Sequence, residues 1–244
     1  MTSSVLNAPE VAPAPAPTAP ADSPQSERLV TSGSASPMLI EQFRNLAASL
    51  NRMQRERTLK SLVVTSPAPG DGKSHVAANL ALTLSGSYRR RVLLVDADLR
   101  RPTLHGLFGV KQTPGLLATL RGSEDGVLPV VAVSETLSLL PAGDALANPI
   151  GDLSSGRMAR LITMVSSRYD WVIVDTPPAA GLADARIVSE TTDGVVLVVR
   201  AGVTQFPDLE AAAHAIGPDR VLGMVLNAAE PSEIRRADYY SHYY

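Results

Sequence analysis

Residues 62–74 read LVVTSPAPGDGKS, and this stretch decides the fold. An apolar run of strand length, Leu62 to Thr65, leads into a turn rich in glycine and proline, and a helical pattern of apolar residues follows it at once. Glycines let backbone N–H groups wrap around phosphates, and the first turn of the next helix adds its dipole. The order of strand, loop and helix therefore predicts a phosphate-binding loop. An ordinary Gly/Pro turn before a helix is the alternative interpretation.

The end of this loop carries the residue types that contact a bound nucleotide. Lys73, one of only three lysines in the chain, stands where a loop lysine reaches the outer phosphates, and Ser74 stands where a hydroxyl binds Mg²⁺. Pro67 occupies the position of the first glycine, so the match to G-x-x-x-x-G-K-[ST] is incomplete. The predicted nucleotide-binding residues are Pro69, Gly70, Asp71, Gly72, Lys73, Ser74 and His75.

Short apolar runs alternate with helical patterns through the rest of the chain. The predicted strands cover 62–65, 92–96, 137–140, 171–175, 195–199 and 221–227, and the predicted helices cover 73–86, 155–167, 183–191 and 207–216. An amphipathic helix begins at Pro37, and residues 101–135 are assigned short helices and one candidate strand at 130–133. Several runs are apolar without alternation, which is typical of strands buried on both faces. We therefore expect the α/β class: a three-layer P-loop NTPase fold with a mostly parallel twisted sheet and helices on both faces.

The composition changes at both ends of the chain. Residues 1–37 hold seven of the nineteen prolines in an Ala/Pro/Ser background, which predicts a disordered, extended tail. Residues 38–229 are expected to form one P-loop domain. Residues 230–244 are polar and aromatic, and we expect a flexible C-terminal tail there.

Composition and charge exclude several classes of function. The 22 Lys and Arg against 24 Asp and Glu give a balanced field that disfavours nucleic acid as a partner. The absence of cysteine excludes disulfides, cysteine-bound zinc, iron–sulfur clusters and thiol nucleophiles, and the four histidines are too scattered to suggest a metal site. The chain shows neither a secretory signal nor an apolar run long enough to span a membrane. We therefore expect a cytoplasmic protein that reaches a membrane only through a partner.

Three carboxylates stand at the ends of two predicted strands. Asp96 and Asp98 close the run VLLVDAD, and Asp175 closes WVIVD. In a parallel sheet the carboxyl ends of the strands open onto one crevice, so these carboxylates can meet a metal beside the phosphate-binding loop. A single aspartate at a strand end is more often a helix cap or turn former, but three beside such a loop favour a Mg²⁺ site.

These motifs together resemble the bacterial tyrosine kinases of capsule and exopolysaccharide synthesis. The segments SPAPGDGKS, VLLVDADLRRP and VIVDTPP are similar to the Walker A, A-prime and B motifs of that family, and the resemblance extends over about residues 38–229. It also includes Asn148-Pro149, Asp184-Ala185, Asp193-Gly194-Val195 and Val225-Leu226-Asn227. The resemblance implies a fold related to septum-positioning and partition ATPases. It further implies transfer of the γ-phosphoryl group of ATP, with ADP as product, to tyrosines at the kinase's own C-terminus.

The C-terminus holds such a cluster, because four of the six tyrosines lie in the last six residues. The predicted phosphoacceptors are Tyr239, Tyr240, Tyr243 and Tyr244; a poorly ordered aromatic tail is the alternative interpretation. A tyrosine hydroxyl has a pKa near 10 and needs a base to take its proton late in the transfer. We assign Lys73, Asp96 and Asp98 as catalytic, with Asp96 as the base and with Ser74, Asp98 and Asp175 at the Mg²⁺. The roles of the aspartates are open to exchange.

Family features beyond the nucleotide motifs concern assembly and partners. The family's first helix often carries Glu-x-x-Arg-x-x-Arg, used for ring-shaped self-association; Glu41 and Arg44 match it, but Ala47 replaces the second arginine. The resemblance implies a separate membrane-anchored polysaccharide co-polymerase or activator, and self-association that brings the tail of one subunit to the site of the next. Arg100 and Arg101 are equally open to contacts with phosphate or acceptor and to a solvated role in a loop.

Two other functions compete with a kinase. A partition-type or septum-type ATPase would act as a nucleotide-dependent dimerisation switch, but such proteins carry a second lysine early in the loop, where this chain has Ala68. They also often end in a basic membrane helix, whereas this chain ends in tyrosines. A non-catalytic partner whose tail another kinase phosphorylates is the third interpretation, and the intact Lys73 and aspartates disfavour it.

Overall fold

A single seven-stranded sheet forms the centre of the molecule. The structure, a computed structural model, describes residues 29–31, 33–122 and 128–230. The strands are β1 (Ser61–Thr65), β2 (Val92–Asp96), β3 (Val131–Ala132), β4 (Leu137–Leu140), β5 (Trp171–Asp175), β6 (Gly194–Arg200) and β7 (Val221–Asn227). Their order across the sheet is β3-β4-β2-β5-β1-β6-β7, and all neighbours are parallel except β3 and β4.

The central strands β1, β2 and β5 are buried at every position, since helices cover both faces of the sheet. The helices are α1 (Pro37–Arg57), α2 (Lys73–Gly86), α3 (Leu104–Phe108), α4 (Leu116–Arg121), α5 (Ile150–Leu153), α6 (Arg157–Ser166), α7 (Asp184–Ser189) and α8 (Phe206–Ile216). One core lies between the sheet and α1, α2 and α3, and a second lies between the sheet and α4 to α8. This arrangement is the predicted three-layer fold.

The first helix follows from local sequence signals. The Ser36 side chain accepts a hydrogen bond from the backbone N–H of Leu39, and Pro37 takes the first helical position, where no N–H is needed. The helix ends at Thr58 in the left-handed region. Ala47 is fully buried on the core side of this helix, whereas Glu41 and Arg44 are exposed and form an ion pair at 3.5 Å.

The sequence predicted most of these elements within a few residues. It gave no helix at Ile150–Leu153, because four residues carry too little periodic signal. The packed part of the chain also extends before residue 38: Leu29 is buried, and the backbone N–H of Val30 donates to the Asn79 side chain on α2. Residues 1–28 and 231–244, which include the predicted tails and the tyrosine cluster, lie outside the described residues.

Within the described ranges, none of the helices combines the length and apolar character needed to cross a bilayer.

Candidate nucleotide-binding site

The predicted phosphate-binding loop lies between the end of β1 and the first turn of α2. Gly70 and Gly72 adopt positive φ angles of 91° and 94°, which side-chain-bearing residues rarely adopt. A Cβ atom on Gly72 would also collide with the side-chain amide of Asn227. His75 lies half-buried in the first turn of α2, and Lys73 and Ser74 are buried. The loop is therefore shaped by its glycines and delivers both functional side chains to one point.

Lys73 connects the loop to two of the three predicted carboxylates. Its Nζ lies 2.9 Å from Asp98 Oδ2, 3.2 Å from Ser74 Oγ and 3.9 Å from Asp175 Oδ1. Burial alone lowers the pKa of Lys73, but the negative charges of Asp175 and Asp98 outweigh burial and raise the pKa above its ordinary value. Lys73 is therefore a positively charged side chain, fixed by two carboxylates, at the position where nucleotide phosphates would bind.

Asp96 has a different environment from Asp98 although they are two residues apart. Its Oδ2 accepts hydrogen bonds from the backbone N–H groups of Thr103 and Leu104 at 3.1 and 3.0 Å, and its Oδ1 accepts one from Asp98 N at 3.2 Å. Burial raises the pKa of Asp96 to about 7, with a further contribution from the charge of Asp175. Asp96 therefore fixes the chain that follows β2, and one acceptor position on Oδ1 remains.

Asp175 is fully buried, and neither of its carboxylate oxygens has a hydrogen-bond partner among the described residues. Burial raises its pKa to about 6, against the opposing charge of Lys73 and the nearby Ser74 hydroxyl, which does not reach hydrogen-bond geometry. A buried carboxylate without donors fits a hydrated cation, because a bound metal and its waters would satisfy both oxygens. No group of three or more His, Cys, Asp or Glu in the described part of the chain could hold a metal. The predicted donors Ser74, Asp98 and Asp175 would therefore need phosphate oxygens or water to complete a Mg²⁺ site.

The structure adds contacts that the sequence analysis did not identify. Asp71 is almost fully buried, and its carboxylate accepts hydrogen bonds from Ala68 N at 2.8 Å and from the Thr204 hydroxyl at 2.9 Å. The Asn227 side chain donates to the Asp71 carbonyl at 2.7 Å, and an Arg200 guanidinium N–H lies 3.4 Å from the Gly70 carbonyl. Only the general rule that strand ends of a parallel sheet meet at one edge could have indicated Thr204, which follows β6.

The two arginines after β2 have separate roles. Arg100 forms a bidentate ion pair with the buried Asp184 of α7, at 2.8 and 3.2 Å, and it also donates to the Ala147 carbonyl at 2.6 Å. Arg101 has an exposed side chain, and its backbone N–H donates to Asp98 Oδ1 at 3.0 Å. Arg100 therefore holds the loop after β2 against α7, and of the two only Arg101 is exposed beside the site.

Comparison with known proteins identifies the family of this nucleotide site. Residues 57–227 match the family described as ParA, the NUBPL iron-transfer P-loop NTPases. The chain is 36% identical over 203 residues to the tyrosine-protein kinase YwqD of Bacillus subtilis, covering 82% of this chain and 85% of that protein. It is 32% identical over 222 residues to the tyrosine-protein kinase wzc of Salmonella typhimurium, covering 90% of this chain but only 30% of that protein.

Solved structures point in the same direction. The chimerical protein CapA2B2 superposes with a TM-score of 0.74 at 29% identity, covering 88% of this chain and 95% of that one. The kinase domain of the Escherichia coli tyrosine kinase ETK gives a TM-score of 0.68 at 27% identity, covering 79% and 78%. The cell division ATPase MinD of Pyrococcus furiosus shares the fold, with a TM-score of 0.58 at 22% identity and coverage of 73% and 78%. The chain therefore belongs to the bacterial tyrosine kinases, a family built on the ParA-type P-loop NTPase fold.

Proposed function

We propose that this protein is an ATP-dependent protein-tyrosine kinase that phosphorylates its own C-terminal cluster. The proposed acceptors are Tyr239, Tyr240, Tyr243 and Tyr244, presented by one subunit to the site of another. The observation that carries the proposal is the convergence of Lys73, Asp98 and Asp175 at the phosphate-binding loop. The identity with YwqD, a tyrosine-protein kinase, over 85% of its length supports the same activity.

The proposed reaction uses groups already in place. Lys73 exchanges its contact with Asp98 for the outer phosphates of ATP, where its charge stabilises the transition state. The tyrosine oxygen forms a bond to the γ-phosphorus as the bond from that phosphorus to the bridging oxygen breaks, and ADP leaves. The phenolic proton passes to a carboxylate; Asp96 is the proposed base, and exchange of this role with Asp98 is the alternative.

Mg²⁺ and nucleotide complete the proposed site. Ser74, Asp98 and Asp175 would hold the metal, which when bound neutralises charge on the β- and γ-phosphate oxygens. The backbone N–H groups around Gly70 and Gly72 and at the start of α2 would bind the phosphates.

The cellular role proposed is control of exopolysaccharide polymerisation or export at the cytoplasmic face of the membrane. A relative 31% identical over 218 residues, of which the chain covers 27%, is the succinoglycan biosynthesis transport protein ExoP of Rhizobium meliloti. A separate membrane-anchored co-polymerase or activator would bring the kinase to the bilayer and stimulate it.

A dimerisation switch of the ParA or MinD type is the second candidate function. The ParA family ATPase of Chlorobium tepidum shares the fold with a TM-score of 0.57 at 25% identity, covering 73% of this chain and 78% of that one. Such a switch would hydrolyse ATP without forming phosphotyrosine. The position of Ala68, where those ATPases have their signature lysine, favours the kinase.

One experiment separates these functions. Wild-type protein and Lys73→Met are incubated with Mg-ATP, and intact mass and phosphotyrosine are measured after prior phosphatase treatment. We expect mass increments of phosphate on the tyrosine cluster in the wild type and none in Lys73→Met, since the lysine charge at the phosphates is lost. ATP hydrolysis without any phosphotyrosine would establish the switch instead.

A further inference from the structure

We infer that Thr204 is a positioning residue for nucleotide binding, acting through the carboxylate of Asp71 on the phosphate-binding loop. This inference rests on the proposed function and extends it to a residue outside all the nucleotide motifs. Thr204 lies in the turn between β6 and α8, 133 residues from Asp71 in the chain. Its contact with the loop is thus a property of the fold and not of the local sequence.

Asp71 presents an electrostatic problem that the proposed role solves. It is an acidic residue inside a loop that must accept the negative phosphates of a nucleotide, and it is buried. A carboxylate free to turn toward the phosphates would repel them strongly in this poorly solvated place. The hydrogen bonds from Ala68 N and from the Thr204 hydroxyl engage one carboxylate oxygen each and so fix the orientation of the Asp71 carboxylate.

The same contacts fix the shape of the loop. The bond from Ala68 N to Asp71 Oδ2 closes the turn between these two residues, and the bond to Thr204 ties that turn to the sheet. The Thr204 hydroxyl in addition accepts a hydrogen bond from Arg200 N at 2.7 Å, which orients it toward Asp71. The oriented hydroxyl can therefore act as a fixed donor to the loop.

A second link runs from β7 to the same residue. The Asn227 side chain donates to the Asp71 carbonyl, and the Asn227 carbonyl accepts a hydrogen bond from Ala201 N at 2.9 Å. Both the side chain and the main chain of Asp71 are thus held by the ends of β6 and β7. Together the links place the loop N–H groups before a nucleotide arrives, which reduces the entropy lost on binding.

The test compares the loss of a threonine hydroxyl at two positions, Thr204 and Thr191. Thr204→Val removes the donor to Asp71, whereas Thr191→Val removes a comparable half-buried hydroxyl that donates to the Val188 carbonyl at 2.7 Å, in the turn before β6. Calorimetry with Mg-ADP is expected to show about a tenfold higher Kd for Thr204→Val, the size expected for one lost hydrogen bond to a charged group. Thr191→Val should bind as the wild type does.

Further variants separate positioning from a merely structural effect. Thr204→Ser restores the hydroxyl and should restore the affinity. With saturating ATP the kcat of Thr204→Val should stay within about twofold of wild type while KM rises, because the hydroxyl acts on binding. In an Asp71→Asn protein, Thr204→Val should change the Kd far less than it does in the wild type, since the hydroxyl acts through Asp71. If Thr204→Val folds poorly, Thr204→Ala removes the same donor and is expected to raise the Kd for Mg-ADP to a similar extent.

Several results would overturn the inference. The first is a Kd for Mg-ADP in Thr204→Val equal to that of the wild type. The second is a Kd in Thr204→Ser or in Thr191→Val raised as much as in Thr204→Val. The third is independent effects of the Thr204 and Asp71 substitutions on the Kd in the double variant. If instead the wild-type protein fails to bind Mg-ADP, the proposed function itself fails, so the two failures are distinguishable.

Discussion

The ends of β2 and β5 carry the same residue in the same register and yet provide opposite environments. Asp96 and Asp175 are paired across the two neighbouring strands, and both are fully buried. Three backbone N–H groups donate to Asp96, whereas no described residue donates to either oxygen of Asp175. The chain after β2 folds back over Asp96 as it enters α3. The chain after β5 continues as Thr176, Pro177 and Pro178, and the two prolines have no N–H to donate.

This difference shows that two neighbouring strand ends at one edge of a sheet can have different roles, one in holding a loop and one in binding a ligand. The buried Asp96 carboxylate accepts hydrogen bonds from backbone N–H groups and so stabilises the loop that carries Asp98 and Arg101. Burial of the Asp175 carboxylate without hydrogen-bond donors lowers the stability of the protein without ligand. A bound cation would therefore stabilise this carboxylate the most. The carboxylate at the end of β5 is therefore left open to a ligand, whereas the carboxylate at the end of β2, the proposed base, is also held by the loop that follows it.

The largest effect is expected from Asp175→Asn. The substitution keeps the shape of the side chain but removes the charge that would hold Mg²⁺, so the rate of tyrosine phosphorylation should fall at least about 100-fold. The free energy of unfolding at pH 8 without Mg²⁺ should change little, because a buried charge is removed while Lys73 keeps its shorter ion pair with Asp98. Phosphotyrosine formation and chemical denaturation measure the two quantities.

A surface aspartate provides the control for this change. Asp152 forms an exposed ion pair with Arg121 away from the proposed site, so Asp152→Asn should retain the wild-type rate. An Asp175→Asn protein with a rate close to wild type would remove Asp175 from the proposed metal site.

Asp96→Asn should reduce stability in addition to slowing the phosphoryl transfer for which Asp96 is the proposed base. An asparagine offers one oxygen, so its NH₂ group must face at least one of the N–H groups from Asp98, Thr103 and Leu104. We expect the free energy of unfolding at pH 8 to fall by about 2 kcal/mol, the usual cost of leaving buried donors unsatisfied. Amide hydrogen exchange at Thr103 and Leu104 should accelerate. Unchanged stability together with unchanged exchange would contradict a structural role for Asp96.

The sequence predicted the fold and the convergence of the site but not this division of roles. Apolar runs without alternation identify buried parallel strands, and the carboxyl ends of such strands lie at one edge of the sheet. The sequence therefore predicted that Lys73, Asp98 and Asp175 lie close together. The donors to Asp96 depend on the path of the chain through residues 97–104, for which the sequence shows no periodic pattern. The pairing of Arg100 with Asp184, 84 residues away, and that of Thr204 with Asp71 depend likewise on tertiary contacts that local patterns do not encode.

The smallest effect expected is a dependence of stability on pH. The pKa values of Asp96 and Asp175 are about 7 and about 6 in the folded protein, above the value near 3.9 for an unfolded chain. Between pH 4 and pH 7 the folded state therefore holds protons that the unfolded state has lost, and the free energy of unfolding falls as the pH rises. This sign is opposite to that of carboxylates held in ion pairs, whose stabilisation increases with pH.

Denaturation at several pH values in buffer free of Mg²⁺ and nucleotide measures this slope. We expect a decrease in the free energy of unfolding across pH 5 to pH 7, with a slope below the limit of about 2.7 kcal/mol per pH unit that two protons would set. In Asp175→Asn only Asp96 still contributes, so the decrease should be smaller, and it should move to lower pH because the charge of Asp175 no longer raises the pKa of Asp96. Stability that rises with pH throughout this range, or an equal slope in the variant, would mean that Asp175 is charged in the empty protein, and the contrast between the two strand ends would then lie in hydrogen bonding alone.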